Sequence, residues 1–190
     1  DGQIGVYGFV SRLHSDAVLQ GSAGTGIPNY IGRDSSFTQR LRSLAAFGQF
    51  QYHLTDSLQL IAGGRVTNDR ITIDTRQNQY PYVSTLGPRT PPGRQTYTNT
   101  NFSWKTGLQY DPSADLTAYV TYSRGYKGPS FNSTFSVAGQ DLVIRPETVG
   151  DIELGIKSML FDRRLRLNLA VFREDFRNFQ VQALNISTGI

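Results

Sequence analysis

The sequence of 190 residues contains no cysteine, which excludes disulfides, zinc–thiolate sites and thiol catalysis. It also lacks any run of about 18 consecutive apolar residues, so no segment can cross a bilayer as a helix. That absence is silent about strands, whose hydropathy signal is much weaker. Catalytic motifs are missing too: there is no H-E-x-x-H, no G-x-S-x-G and no P-loop. An enzyme is therefore not expected. The net charge of +4 is spread along the chain rather than gathered in one basic stretch, which argues against a nucleic-acid partner. No metal site is expected, because His14 and His53 stand far apart without spaced carboxylates. Gly21 to Gly26 lacks the strand–helix context of a phosphate cradle and reads as a flexible loop. No leader peptide is seen. Asp1 to Val10 already reads as strand, so the chain is expected to be a section of something longer.

What the sequence has is alternation. A strand turns successive side chains to opposite faces, so a period of two marks a half-buried strand. Ile152, Leu154, Ile156 and Leu160 share one parity; after Phe161 to Arg164, so do Leu165, Leu167, Leu169 and Val171. The opposite positions are Asp151, Glu153, Lys157, Arg166 and Asn168. Earlier segments repeat the pattern. A first strand from Gln3 to roughly Leu13 sets Ile4, Val6 and Val10 against Tyr7 and Phe9. A second, Arg40 to Leu54, sets Leu44, Phe50 and Tyr52 against Ser43, Gln49 and Gln51, with Phe47 as an exception on the polar side. A third begins at Leu58, and pairing Tyr52 with Leu60 and Phe50 with Ala62 matches the apolar faces of the two. A fourth sets Phe102, Trp104, Leu108 and Tyr110 against Lys105 and Gln109. A fifth sets Leu116, Val120 and Tyr122 against Thr117, Thr121 and Ser123; placing Tyr110 opposite Leu116 pairs Trp104 with Tyr122.

The connections alternate between long and short. The short ones are Thr55 to Ser57, Asp111 to Asp115 and Phe161 to Arg164; the long, polar ones are His14 to Phe37, Arg76 to Asn99 and Gly125 to Glu147. A soluble sandwich has no reason for such strict alternation. An all-β, antiparallel up-and-down transmembrane β-barrel does, with tight turns at one end and long loops at the other. About ten residues per strand, tilted by about 40–45°, span about 25 Å, the height of a barrel's apolar band. Phe50, Tyr52 and Tyr110 near the tight turns, and Phe102, Trp104 and Tyr122 nearer the long loops, are placed as aromatic girdles. About seven strands are expected, part of a larger barrel. The alternatives are a complete small outer-membrane barrel with an adhesion or structural role, and a soluble β-rich domain.

Two segments carry a family resemblance: YSRGYKGPSFN (Tyr122 to Asn132) and RPETVGDIELGIK (Arg145 to Lys157). They resemble TonB-dependent outer-membrane receptors, in which the first ends a strand and Pro-Glu-Thr opens the next. Ser43 to Arg70 and Leu160 to Phe172 look similar as well, so the likeness covers most of Ser43 to Gln182. The resemblance implies a barrel of roughly twenty-two strands closed by a plug. Neither plug nor TonB box is found here, so residues 1–190 are expected to be a piece of the barrel domain truncated at both ends. It also implies a receptor in the bacterial outer membrane that imports a metal chelate, a ferric siderophore above all, with no covalently bound cofactor. Its partners would be outer-membrane lipid and lipopolysaccharide, the small-molecule chelate, and TonB–ExbB–ExbD acting through the missing plug.

Site residues follow from this reading. Arg124, Tyr126, Lys127 and Arg145 edge the third long loop; cations with an aromatic suit an anionic, aromatic ligand, and loop packing with lipopolysaccharide contact suits them equally. Gln49, Gln51, Arg65, Lys105, Gln109, Glu153, Lys157, Arg166 and Asn168 are expected to face the lumen. Phe50, Tyr52, Leu60, Trp104, Leu108, Val120, Tyr122, Leu154, Ile156, Leu167 and Leu169 are expected to face lipid. Asp151, Glu153 and Glu174 could imitate the acid pair of a glycosidase, but a solvated wall accounts for them better. Pro146-Glu147-Thr148 is expected to fix a strand start rather than touch ligand.

Overall fold

The computed structural model describes residues 1–21, 30–79, 93–132 and 142–181. Among them there is no helix. The strands are β1 (Gly2–Gly21), β2 (Tyr30–His53), β3 (Leu58–Gln79), β4 (Gly93–Ser113), β5 (Leu116–Lys127), β6 (Ser130–Phe131), β7 (Val143–Ile144), β8 (Glu147–Leu160) and β9 (Leu165–Arg177). Seven form one antiparallel sheet in the order β1-β2-β3-β4-β5-β8-β9, and β6 and β7 form a separate small ladder. This is the expected up-and-down architecture. The sheet is open, with β1 and β9 as its edges, so it does not form the small closed barrel considered above.

The three tight turns lie at one end and the longer connections at the other. In the first hairpin Tyr52 pairs with Leu60 and Phe50 with Ala62, as the apolar pattern required. The turn from Phe161 to Arg163 is left-handed at every residue, with φ of 53°, 51° and 67°. It is tied to the neighbouring turn by Arg163 Nε, which donates to Asp115 Oδ1 at 2.7 Å.

Several strand boundaries and one register differ from the sequence reading. Strands extend well into the first two long connections: β1 runs to Gly21, β2 starts at Tyr30, β3 runs to Gln79 and β4 starts at Gly93. Ser, Thr, Asp and Arg are frequent in these extensions, and so polar a composition resembles a loop. Tyr110 pairs with Ala118 and Trp104 with Arg124, two residues away from the expected register, because an irregularity falls between Tyr110 and Ser113. Faces are unaffected by a shift of two, and the Trp104 and Tyr122 rings still meet edge to face with centroids 5.0 Å apart. The alternation of Phe179-Gln180-Val181-Gln182 lets the last strand be read on past Arg173 through Gln182; β9 passes Arg173 only as far as Arg177, where Asn178 at φ 54° ends it.

Phe47, the exception to alternation, has a partner. It lies over Gly5 across the β1–β2 ladder, where an added Cβ would come within 2.4 Å of its ring. The Arg65 guanidinium covers the Phe47 and Tyr7 rings at 5.8 and 4.9 Å.

Above this level the faces of β2 and β3 exchange character. Toward the tight turns apolar residues occupy even positions, such as Leu44, Phe50 and Val66. Beyond Arg42 and Arg70 they occupy odd positions: Phe37, Leu41, Ile71 and Ile73. The buried apolar cluster sits there, on the otherwise polar face. Phe37, Ile71 and Ile73 meet Phe131 and Leu142 from the third connection, with Leu41, Tyr97 and Val143 packed around them. Ile71, Ile73 and Leu142 are essentially inaccessible.

Candidate functional site

The residues expected to face lumen and lipid fall on two opposite faces of one continuous sheet. Cross-strand partners share a face, and the register gives the rows. One row runs Gln49, Gly63, Lys105, Ser123, Asp151, Glu174; another runs Tyr52, Leu60, Leu108, Val120, Leu154, Val171. Gln51, Arg65, Gln109, Glu153, Lys157, Arg166 and Asn168 share the polar face with the first row. Phe50, Trp104, Tyr122, Ile156, Leu167 and Leu169 share the apolar face with the second. On that face Phe50, Tyr52, Leu154 and Leu169 are each more than half exposed, so a broad apolar surface lies uncovered.

The Glu153-Leu154-Gly155-Ile156-Lys157 segment now has a physical account. Tyr119 stands opposite Gly155, and an added Cβ there would lie 2.3 Å from the Tyr119 ring carbon that bears the hydroxyl. The glycine is needed so that the ring can lie flat along β8. From there the Tyr119 hydroxyl donates to Glu153 Oε1 at 2.6 Å, and Lys157 Nζ sits 5.4 Å from the ring centroid. An acid, a glycine and a base at alternate positions hold one tyrosine, while Leu154 and Ile156 turn to the other face.

The four loop-edge residues have separate surroundings. Arg124 is opposite Trp104, at the last β4–β5 pair; its Nη1 donates to Asn101 Oδ1 at 3.3 Å and to the Phe102 carbonyl. Tyr126 shares parity with Tyr122, yet its hydroxyl donates to Asp69 Oδ2 at 2.7 Å and accepts from Asn99 Nδ2 at 3.2 Å, both on the polar face. It reaches them because β4 and β5 part above Arg124, and β5 crosses over the polar face of β3 and β4. Gly128 continues the crossing, since a Cβ there would lie 3.3 Å from Asp69 Oδ2. Lys127 and Arg145 are exposed.

The base of the crossing segment is fastened from the residues that follow β9. Gln180 N donates to the buried Glu147 at 2.7 Å, and Gln180 Nε2 donates to the carbonyls of Arg145 at 2.8 Å and Gly128 at 3.1 Å. Glu147 is thus a strand-start anchor, as expected for Pro146-Glu147-Thr148. Sequence reasoning missed Asp69, Asn99 and Gln180, and it missed the Phe131–Leu142 socket. The one signal for the socket was the parity of Ile71 and Ile73, opposite to that of Val66. Gly21 to Gly26 lies almost wholly outside the described residues. His14 donates to or accepts from Thr38 at 3.0 Å and lies 3.3 Å from Asp16. Asp151 and Glu174 are cross-strand partners.

Comparison with known proteins gives a consistent result. Residues 2–189 match the family described as TonB dependent receptor-like, beta-barrel. The probable TonB-dependent receptor BfrD of Bordetella pertussis is 32% identical over 93 residues, which are 47% of this chain and 12% of that protein. Among solved structures, the ferric yersiniabactin uptake receptor FyuA of Yersinia pestis superposes with a TM-score of 0.78 at 19% identity, over 95% of this chain and 26% of FyuA. The alcaligin outer-membrane receptor FauA of Bordetella pertussis gives 0.54 at 18% identity, over 96% of this chain and 32% of FauA. At these identities the two structures bear on fold alone, and the chain spans a third or less of each of these relatives.

Proposed function

The chain belongs to the TonB-dependent receptor β-barrel family, whose barrels lie in the outer membrane of Gram-negative bacteria, and from that premise we propose that it is a wall section of a receptor importing a metal chelate. The observation that carries this is the family match along nearly the whole chain, on a sheet with every longer connection at one end. In this reading residues 1–190 are one part of a larger barrel domain, and the open edges β1 and β9 pair with further strands. The apolar face, with Leu60, Leu154 and Leu167, lies in lipid; the polar face, with Gln49, Lys105 and Lys157, lines the interior.

The ligand proposed is a ferric siderophore. FyuA is named for ferric yersiniabactin and FauA for alcaligin, and those names lend the idea to this chain without transferring a site. Arg124, Tyr126, Lys127 and Arg145 lie at the base of the third connection, on the side proposed to face outward. Tyr126 serves there to hold β5 across the polar face, while Lys127 and Arg145 remain exposed to meet an anionic chelate. Energy would come from TonB–ExbB–ExbD acting on a plug. The test is uptake of radiolabelled iron, presented as a panel of ferric siderophores, by cells with and without the full-length receptor gene. Receptor-dependent uptake of at least one chelate is expected; none across catecholate, hydroxamate and carboxylate classes would overturn the iron reading.

A further inference from the structure

We propose that the end of β5 beyond Arg124 is a two-position strap. Now latched across the polar face, it swings out and zips onto the edge of β4, uncovering that face. The register defines the second position. From Tyr110 with Ala118 to Trp104 with Arg124, each β4–β5 pair follows the last without a slip. Continued, the same register sets Phe102 opposite Tyr126 and Thr100 opposite Gly128. Asp111 N donates to Ser57 O, and Met159 N donates to Asp115 O. Odd-numbered backbone groups of β4 therefore face β3, and those of β5 face β8. The even-numbered groups are turned to one another: Thr100 and Phe102 on β4, Tyr126 and Gly128 on β5. No ladder joins them among the described residues, and a strand edge without a ladder is a template for pairing.

Side-chain parity points to the same second position. Tyr126 has the parity of Tyr122, whose ring meets Trp104 on the apolar face with centroids 5.0 Å apart. Zipped, Tyr126 continues that aromatic row beside Phe102, which is now half exposed.

The latched position is held by contacts that the zipped one excludes. The Tyr126 hydroxyl donates to the buried Asp69 at 2.7 Å and accepts from Asn99 at 3.2 Å. Gln180 Nε2 donates to the Gly128 carbonyl at 3.1 Å. Arg124 Nη1 donates to the Phe102 carbonyl, the acceptor that Tyr126 N–H takes on zipping, and so stands in for the missing rung. Gly128 lets the strap lie close, since a Cβ there would be 3.3 Å from Asp69 Oδ2. A hydrogen bond to a carboxylate outweighs a neutral one, which favours the latch. Against it stand two ladder pairs, each exchanging both N–H···O bonds, and burial of the Tyr126 ring. Two mutually exclusive sets of contacts make a bistable element. Zipping carries Gly128 from above β3 to beyond β4, two strand spacings or about 10 Å, and pulls on Phe131 where it meets Ile71 and Ile73. On the reading that the polar face lines the interior, this opens the interior at the end of the long connections, whatever the ligand.

The test uses the full-length receptor in isolated outer membranes, carrying Thr100→Cys with Gly128→Cys. Opposed residues of a hydrogen-bonded antiparallel pair have Cα atoms about 5.5 Å apart, within reach of a disulfide. Latched, they cannot join: Thr100 shares the apolar-side face with Asn68, whereas Gly128 lies over Asp69 on the polar face. A mild oxidant should form the bond slowly. Tyr126→Phe in the same background should speed it at least about fivefold, because the buried Asp69 loses its donor. Asp69→Cys with Gly128→Cys should also join, reporting the latched position. Absence of the first bond in both backgrounds, or an equal rate in the two, overturns the proposal. So does absence of the second bond beside full yield of the first, since the strap then has one position only. If Gly128→Cys prevents assembly, Asn101→Cys with Lys127→Cys, the neighbouring pair in that register, gives the same comparison: faster closure with Tyr126→Phe supports the strap, and an equal rate overturns it.

Discussion

Two side-chain arrangements define what single residues do here. Asp69 is buried, and the Tyr126 hydroxyl is its hydrogen-bond donor at 2.7 Å. Tyr126→Phe should cost about 1–3 kcal/mol, because a buried acceptor loses its partner rather than exchanging it for water. Asp69→Asn in the same background should recover part of that loss by removing the buried charge. The measurement is the denaturation midpoint of the full-length receptor; a larger loss in the double variant would refute the account. At Gly155 the argument is steric. Gly155→Ala places a methyl 2.3 Å from the Tyr119 ring and should cost about 1–3 kcal/mol by overpacking. In a Tyr119→Ala background the same change should be nearly neutral, and a persistent penalty there would mean that backbone, not the ring, demands glycine.

Strands test the assignment of faces. Leu167→Arg should cost about 2–4 kcal/mol if the residue lies near the bilayer midplane, whereas Asn168→Arg should be nearly neutral. Unfolding of the full-length receptor in lipid vesicles reads both, and the reverse order would invert inside and outside. The socket gives a second element-scale prediction. Ile73→Ala removes a fully buried side chain from the cluster with Phe131 and Leu142 and should cost about 2–4 kcal/mol. It should also make the third connection more sensitive to external protease, while cleavage elsewhere stays constant. Alternation made the sheet, the turn positions and both faces from Tyr52 to Phe102 legible, because one buried side per strand imposes a period of two. It did not reveal that β2 begins well before Arg40 or that β3 runs on past Thr75. There the outer face turns polar and the inner face turns apolar against a folded-over segment, so composition resembled loop while parity still resembled strand. The inward reach of Tyr126 was hidden for a related reason: its position in the alternation is that of Tyr122, and only the parting of β4 and β5 sends it to the other side.

For the whole molecule, the sheet order leaves β1 and β9 without outer partners among the described residues. Unpaired strand edges are costly in hydrocarbon and template further pairing in water. The 190-residue chain, refolded alone in detergent, should therefore aggregate or give no heat-modifiable monomer on gels; a monodisperse folded monomer would contradict the larger barrel. A different consequence follows from the place where β4 and β5 part. β4 is paired to β3 from Gly93 onward, but to β5 only from Trp104. Successive amides of an antiparallel strand point to alternate neighbours. From Arg94 to Ser103, then, every second N–H is locked by β3 while those between face a side with no ladder among the described residues. In deuterated buffer this stretch should become a clock with two rates, slow and fast amides taking turns residue by residue, and the alternation should vanish at Trp104, where both sides are held.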